Sequence, residues 1–280
     1  MTYAGFKMLI TDLDGTLLRD DRTVSDTDYR TLVELGGKNI VRVVATGRSL
    51  YSLDRVLSPD FPVDYIIFSC GAGLYDWRKK KILYSRELDA SQIGEVTAIL
   101  LDREAPFMIH LPVPDNQYFY FRGESDPGTD FGRRLELYPD CSAPLRLPVT
   151  LPRASQIVSI LPPDKFDRFL ELKSRIRRRL GDGVSLVRAT SPIDHRSHWL
   201  EIFHPDISKA KTAAELGRRL GMAAAGVRAV GNDYNDRDLL QWAGSAFLVE
   251  NAPADLKAEF ETVSANGENG FTEAVYRKPD

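Results

Sequence analysis

Met8-Leu9-Ile10-Thr11-Asp12-Leu13-Asp14-Gly15-Thr16-Leu17 opens with a short apolar run of a length that suits a buried strand. Two carboxylates one residue apart stand where that strand should end, and Gly15 permits a tight turn after them. In an open parallel α/β sheet, ligands bind at the carboxyl ends of the strands. On an ideal strand Asp12 and Asp14 would share a face; at a turn, both can approach one ligand. So much negative charge in one place is costly unless a cation or a shared proton offsets it. A divalent metal is the simplest remedy, and Mg²⁺ favours sites with few carboxylates plus phosphate oxygens and water. The bland alternative is an acidic turn, since Asp and Gly are common turn formers.

The chain has 280 residues, enough for two domains or one large one. Apolar residues make up 43%, which supports a sizeable core, while no window is long and apolar enough to suggest a membrane span. Net charge is −3 at pH 7, so the chain as a whole gives no electrostatic reason to expect nucleic acid or an anionic membrane as partner. Cys70 and Cys141 are too few for a disulfide framework. Met1 to Lys7 lead directly into the first strand without the pattern of a signal peptide, and a cytoplasmic location is expected.

Outward from the opening stretch, Ser25 reads as the N-cap of a helix to about Leu35, stopped by Gly36-Gly37. A strand over residues 40–44 ends in Ala45-Thr46-Gly47-Arg48, and Ser49 caps a helix expected to reach Leu57. A third strand, 65–68, ends in Ser69-Cys70-Gly71-Ala72-Gly73. Strands alternating with helices predict a doubly wound, Rossmann-like parallel sheet. From about Ile82 the order changes to a helix, two strands, a Pro-rich stretch (139–152), a strand, a helix and two strands. Adjacent strands without a helix between them predict antiparallel pairs and an α+β module. The α/β pattern resumes at Pro205 with a helix over 209–220, a strand over 227–230 and a last strand over 246–249. The expected architecture is an α/β core of residues 1–83 and 205–280 with an α+β cap, 84–204, inserted in it.

Thr46, Lys209 and Asn232 to Asp236 stand at strand or helix ends that open onto the same sheet edge as Asp12 and Asp14. Together they supply a nucleophile, a second carboxyl group, a hydroxyl, an ammonium and an acidic loop. Phosphoryl transfer needs that set: an in-line nucleophile, a proton donor for the leaving oxygen, and cationic or dipolar groups around the equatorial oxygens. Lys209 at a helix N-terminus adds its charge to the free N–H groups there, which favours an anion.

Asp-Leu-Asp-Gly-Thr-Leu (12–17) resembles the first motif of the haloacid-dehalogenase-like phosphohydrolases. Thr46 in Ala-Thr-Gly-Arg matches the second motif, Lys209 the third, and Gly231-Asn232-Asp233-Tyr234-Asn235-Asp236 the fourth, with further matches at Asn251-Ala252 and Asn266 to Gly270. The pattern is similar to the Cof-type sugar-phosphate and cofactor phosphatases, whose α/β cap lies between the second and third motifs. The resemblance implies that Asp12 attacks phosphorus to form an aspartyl-phosphate, and that Asp14 protonates the leaving oxygen and then activates water. It implies that Thr46 and Lys209 hold the phosphoryl group, with Gly15, Thr16, Gly47, Arg48 and Asn235 as further phosphate contacts. It also implies Mg²⁺, held by the Asp12 carboxylate, the Asp14 carbonyl and one of Asn232, Asp233 or Asp236. The substrate would be a small phosphate ester, a sugar phosphate first among them.

Two positions depart from the family pattern. Asn232 stands where the family carries a metal-binding Asp, and an amide oxygen brings no charge to Mg²⁺. Cys70 stands where the subfamily has Asn, and reads as a small buried thiol rather than a reactive one. Arg175 to Arg179 read as the solvated face of a helix, and His195, His198 and His204 lack a zinc-like spacing. One pair of Tyr118–Phe121 is expected to pack on cap helices. Arg48 fits either phosphate steering or a surface charge at a helix start. Rival readings are a phosphomutase of the same fold, a phospho-accepting regulatory domain, and a binding protein that has lost turnover.

Overall fold

The computed structural model describes residues 5–278; Met1 to Ala4, where the leader was sought, lie outside them. The chain forms two compact units: residues through Ser85 together with those from Ser208 onward, and Arg86–Ile207. In chain order the first unit begins with β1 (Met8–Thr11), α1 (Asp26–Gly37), β2 (Val41–Ala45), α2 (Leu50–Leu53), β3 (Tyr65–Phe68), β4 (Gly73–Asp76) and β5 (Lys81–Ser85). The inserted unit holds β6 (Leu88–Asp89), α3 (Ala90–Asp102), β7 (Phe107–His110), β8 (Phe119–Arg122), α4 (Asp130–Leu137), β9 (Ser142–Pro144), β10 (Arg153–Ala154), β11 (Gln156–Leu161), α5 (Phe166–Leu180), β12 (Ser185–Thr190) and β13 (His198–Phe203). The first unit then resumes with α6 (Lys209–Leu220), β14 (Val227–Gly231), α7 (Arg237–Trp242), β15 (Ser245–Val249), α8 (Ala254–Lys257), β16 (Glu261–Val263) and α9 (Gly270–Tyr276).

The first unit carries an eight-stranded sheet in the order β16-β15-β14-β1-β2-β3-β4-β5. β1 lies inside it, parallel to both neighbours, with Thr11 level with Val44 and Val230. Such a strand is covered on both faces, which is why Met8 to Thr11 are buried without alternation. Met8 and Ile10 pack with Ala213 and Leu216 of α6 and with Leu239 and Leu240 of α7. On the opposite face α1 packs on β2, and α9 on β14 to β16. Helices on both faces of a mainly parallel sheet make the expected α/β architecture.

The sheet is larger than the sequence reading. After β3 the chain folds back through antiparallel β4, and residues 77–80 turn it into the antiparallel partner β5. The strand at 246–249 is not the last, since β16 pairs with it in parallel. Its apolar content is a single buried valine, Val263, too little to stand out in sequence. Regular helix after Ser49 stops at Leu53 rather than Leu57, although the helical bond from Leu57 N to Leu53 O persists at 2.9 Å.

Arg228 locks the C-terminal helix to this sheet. Its side chain is fully buried, with Nη1 donating to the carbonyls of Ala274, Val275 and Arg277 at 2.8 Å each and Nε to Ser245 Oγ at 3.1 Å. Those carbonyls belong to the last turn of α9 and the residue after it, which have no helical N–H partner. Burial pulls the guanidinium down to about 10.

The inserted unit is built on a second sheet, ordered β12-β13-β11-β7-β8-β9 and antiparallel except for β8–β9. α3 and α5 bury Ile93, Val96, Leu100, Phe169, Leu172 and Ile176 against one face. α4 covers part of the other, packing Phe131 and Leu135 with Phe119, Phe121 and Trp199. Sequence reading missed α4, which Thr129 caps by accepting from Gly132 N. Phe119 and Phe121 are the pair that packs on a helix, and Tyr118 is exposed. Arg175, Arg177 and Arg179 pair with Glu171, Asp182 and Glu95, so the basic run is a solvated, internally neutralised face. No helix among the described residues is long and apolar enough to cross a membrane.

Arg228→Leu should cost about 2–4 kcal/mol in denaturant unfolding, because it leaves buried carbonyls unsatisfied. In the inserted unit, burial and the neighbouring Arg134 charge push His110 from 6.5 down to about 3. The folded ring therefore stays neutral while the unfolded ring protonates below pH 6.5, so stability should fall as pH drops from 6.5 toward 3. Hydrogen exchange of the inserted unit's amides at pH 7 and 5, with His110→Gln flattening the difference, checks this.

Candidate active site

The parallel register brings the ends of β1, β2 and β14 level, so Asp12, Thr46 and Asn232 emerge on one edge of the sheet. Lys209 is the first residue of α6, behind the cap Ser208, whose side chain accepts from Lys211 N. Its ammonium is fully buried and bridges two carboxylates: 2.7 Å to Asp12 Oδ1 and 2.6 Å to Asp236 Oδ1. Asn235 Oδ1 takes a third, longer bond at 3.3 Å. Burial and the Asp236 charge push Asp12 up to about 7, against the pull of Lys209. Burial disfavours the Lys209 charge, yet Asp12 and Asp236 hold its pKa well above the ordinary value.

The loop after β14 uses its carboxylates internally. Asp236 Oδ2 accepts from the backbone N–H groups of Asn232 and Asp233 at 3.0 and 3.1 Å, and its Oδ1 is taken by Lys209. The Asp233 side chain caps the turn Tyr234–Asp236 in return. Gly231 makes that fold-back possible, since a Cβ there would sit 2.6 Å from Asp236 Cβ. Asn232 differs: its side chain makes no hydrogen bond among the described residues and lies against the β1 loop. A Cβ on Gly15, which has φ +75°, would come within 2.5 Å of Asn232 Nδ2.

Asp14 points to Arg48 rather than to Lys209, through bonds of 2.7 Å from Nε and 2.6 Å from Nη2. Thr46 is buried and its Oγ1 accepts from Arg48 N at 3.1 Å. Thr16 Oγ1 is buried without a hydrogen-bond partner among the described residues. Cys70 is a buried thiol in no disulfide, 3.9 Å from Asn235 Nδ2 and beside the backbone of Gly47. Asn251 Nδ2 donates to Gly15 O at 2.8 Å and Asn266 Nδ2 to Leu18 O at 2.9 Å, so both later asparagines hold the β1 loop in shape. Sequence reasoning missed Ser52, whose Oγ accepts from Arg48 Nη1, and Asp238, whose carboxylate accepts from Ala210 N at the start of α6. Neither carries a local signal, because each acts on a residue made important by the fold. Among the described residues, no group of three His, Cys, Asp or Glu side chains is arranged to hold a metal ion.

A buried ammonium between two carboxylates, beside a hydroxyl and at the carboxyl edge of a doubly wound sheet, defines an α/β enzyme core. The chain belongs to the haloacid dehalogenase-like hydrolases, whose family profile matches residues 9–275, and it is a phosphatase of that family. It is 23% identical over 275 residues to the Bacillus subtilis protein YxeH, covering 97% of each chain. It is 26% identical over 265 residues to the Klebsiella pneumoniae HMP-PP phosphatase, covering 94% of this chain and 90% of that one. The fold superposes on the subclass IIB sugar phosphatase BT4131 with a TM-score of 0.74 at 16% identity, over 96% of this chain and 97% of that one.

Lys209→Met leaves two buried carboxylates without their cation. Turnover should fall at least ~100-fold, and stability by about 3–5 kcal/mol at neutral pH. A buried carboxyl of raised pKa takes up a proton on folding, so stability is lost as pH rises. The gap between variant and parent in thermal unfolding should therefore be wider at pH 8 than at pH 5.

Proposed function

We propose that the chain is a Mg²⁺-dependent phosphatase of a small phosphorylated metabolite, with a sugar phosphate as the first class to test. The observation that carries this is the Lys209 bridge, which meets Asp12 at the strand end and pulls against the rise in proton affinity that burial and Asp236 impose on it. In this reading an Asp12 oxygen attacks phosphorus, forming an aspartyl-phosphate as the bond to the leaving oxygen breaks. Asp14 gives that oxygen its proton and then takes one from the water that hydrolyses the intermediate, which releases phosphate and restores Asp12. Lys209, the Thr46 hydroxyl and the loop carrying Gly15, Thr16 and Gly47 neutralise and orient the phosphoryl group. The work takes place in the cytoplasm.

The residues fit Mg²⁺. Asp12 and the Asp14 backbone carbonyl offer oxygens, and of the three candidates after β14 the Asn232 amide is the one whose side chain has no protein partner and lies against the β1 loop. Asp233 and Asp236 are engaged in the capped turn and with Lys209. A site of one carboxylate, a carbonyl, an amide, water and substrate oxygens suits a weakly bound Mg²⁺. When bound, the ion supplies charge for the phosphoryl oxygens. The sugar-phosphate class is supported by the fold shared with BT4131.

Phosphate release over a panel of sugar and other metabolite phosphates, with and without Mg²⁺, tests the function. Asp12→Asn should abolish turnover on every ester while leaving thermal unfolding in place; a variant retaining most of the activity removes the mechanism. In a Mg²⁺ titration at fixed substrate and ionic strength, Asn232→Asp should lower the concentration for half-maximal rate and Asn232→Ala should raise it. A requirement that moves with neither takes the metal off Asn232, and Asp233→Asn and Asp236→Asn then decide whether this loop holds it.

A further inference from the structure

Arg48 is already occupied. Its Nε and Nη2 close a fork on both oxygens of Asp14, at 2.7 and 2.6 Å, and its Nη1 is tied to Ser52 Oγ at 3.0 Å and to Ser52 O at 3.5 Å. Among the described residues the Asp14 carboxylate has no other hydrogen-bond partner. Asp14 sits on the turn opened by Gly15, at φ +75°, and its side chain is 34% exposed, so packing alone does not fix its direction. A two-point fork from a planar guanidinium does fix it, in plane as well as in distance. A bidentate pair of this geometry fixes orientation in addition to whatever it adds to stability.

We propose that Arg48 is the positioning residue of the acid: it sets the direction of Asp14 and does not bind the transferred phosphoryl group. The proposal rests on Asp14 being the proton donor. A carboxyl group has about four lone-pair sites, and the fork uses two of them, so an outward site stays free for the proton passed to the leaving oxygen. As the Asp12–phosphorus bond forms and the phosphorus–oxygen bond breaks, that proton moves from Asp14 to the leaving oxygen, and Arg48 then faces a full carboxylate. The fork takes two of the five guanidinium N–H groups and Ser52 two more, so a two-point grip on phosphate would require Arg48 to release Asp14. Ser52, on the first turn after β2, holds the guanidinium from behind and extends the same chain of contacts.

The test compares the single-turnover rate of enzyme phosphorylation and KM of Arg48→Gln, Arg48→Lys, Ser52→Ala and Asp14→Asn on an alkyl sugar phosphate and on 4-nitrophenyl phosphate, together with inhibition by inorganic phosphate. An activated aryl ester needs little protonation of its leaving oxygen. Arg48→Gln should therefore lose roughly 10- to 100-fold in the phosphorylation rate on the alkyl ester but less than about fivefold on the aryl ester. KM and phosphate inhibition should stay within about threefold. Arg48→Lys should resemble Arg48→Gln, because an ammonium cannot close the fork, and Ser52→Ala should shift the same way by less. Activity on the aryl ester shows that each variant is folded, and should Arg48→Gln fail there, Arg48→Lys and Ser52→Ala carry the comparison. An equal loss on both esters, with raised KM, weakened phosphate inhibition and rescue by lysine, would make Arg48 a phosphate ligand and overturn the proposal. If Asp14→Asn itself shows no dependence on the leaving group, Asp14 is not the acid, and the proposal falls with that reading.

Discussion

Lys209 sits with no exposed side-chain surface between Asp12 and Asp236, and most of the site is arranged around that fact. One buried ammonium faces two buried carboxyl groups, so the cation alone cannot balance both of them in their charged form. A charge in a dry place is tolerated only where hydrogen bonds satisfy what the ion pair does not. The second oxygen of Asp236 meets that condition through two backbone N–H groups of its own loop. For Asp12, the opposition between burial and Lys209 is the chemically useful feature: a carboxyl raised to about 7 beside a cation changes charge near neutral pH and attracts a further cation.

The same constraint explains the division of labour among the acidic residues. Five side chains near the sheet edge are candidate ligands by type, and the fold gives each a different duty. Asp236 orients Lys209, Asp233 caps the turn that carries Asp236, and Asp14 turns toward Arg48. Asn232 rests on Gly15 with its amide uncommitted. A neutral amide beside a cluster that is already negative adds an oxygen without adding charge, which makes the asparagine physically sensible where the family carries an aspartate.

The scaffold serves this edge by holding loops from distant parts of the chain. Asn251 and Asn266 bond to carbonyls of the β1 loop from residues more than 230 positions later in sequence. Arg228 ties the last helix to β14 by its carbonyls, so the strand that delivers Asn232 and Asp236 is anchored from behind. Removing any of these would loosen a loop rather than delete a reacting group.

Sequence by itself determined the alternation of strands and helices, the insertion of an α+β module, and the residue types gathered at one edge. It could do so because a short apolar run, a capping serine and a glycine stop are local signals. The resemblance of Asp12 to Leu17, Ala45 to Arg48 and Gly231 to Asp236 to one family added the chemistry as an expectation. Short or weakly apolar elements escaped: α4, the β4–β5 hairpin and β16 are held by neighbours that are not adjacent in the chain. The tertiary structure alone decided what each charged group faces. Asp12 and Lys209 are 197 positions apart, and Arg48 and Asp14 are 34 apart. No periodicity or spacing encodes which of several carboxylates meets a given cation. That choice is made when the sheet register brings the strand ends level and burial leaves each charge only the partners within reach.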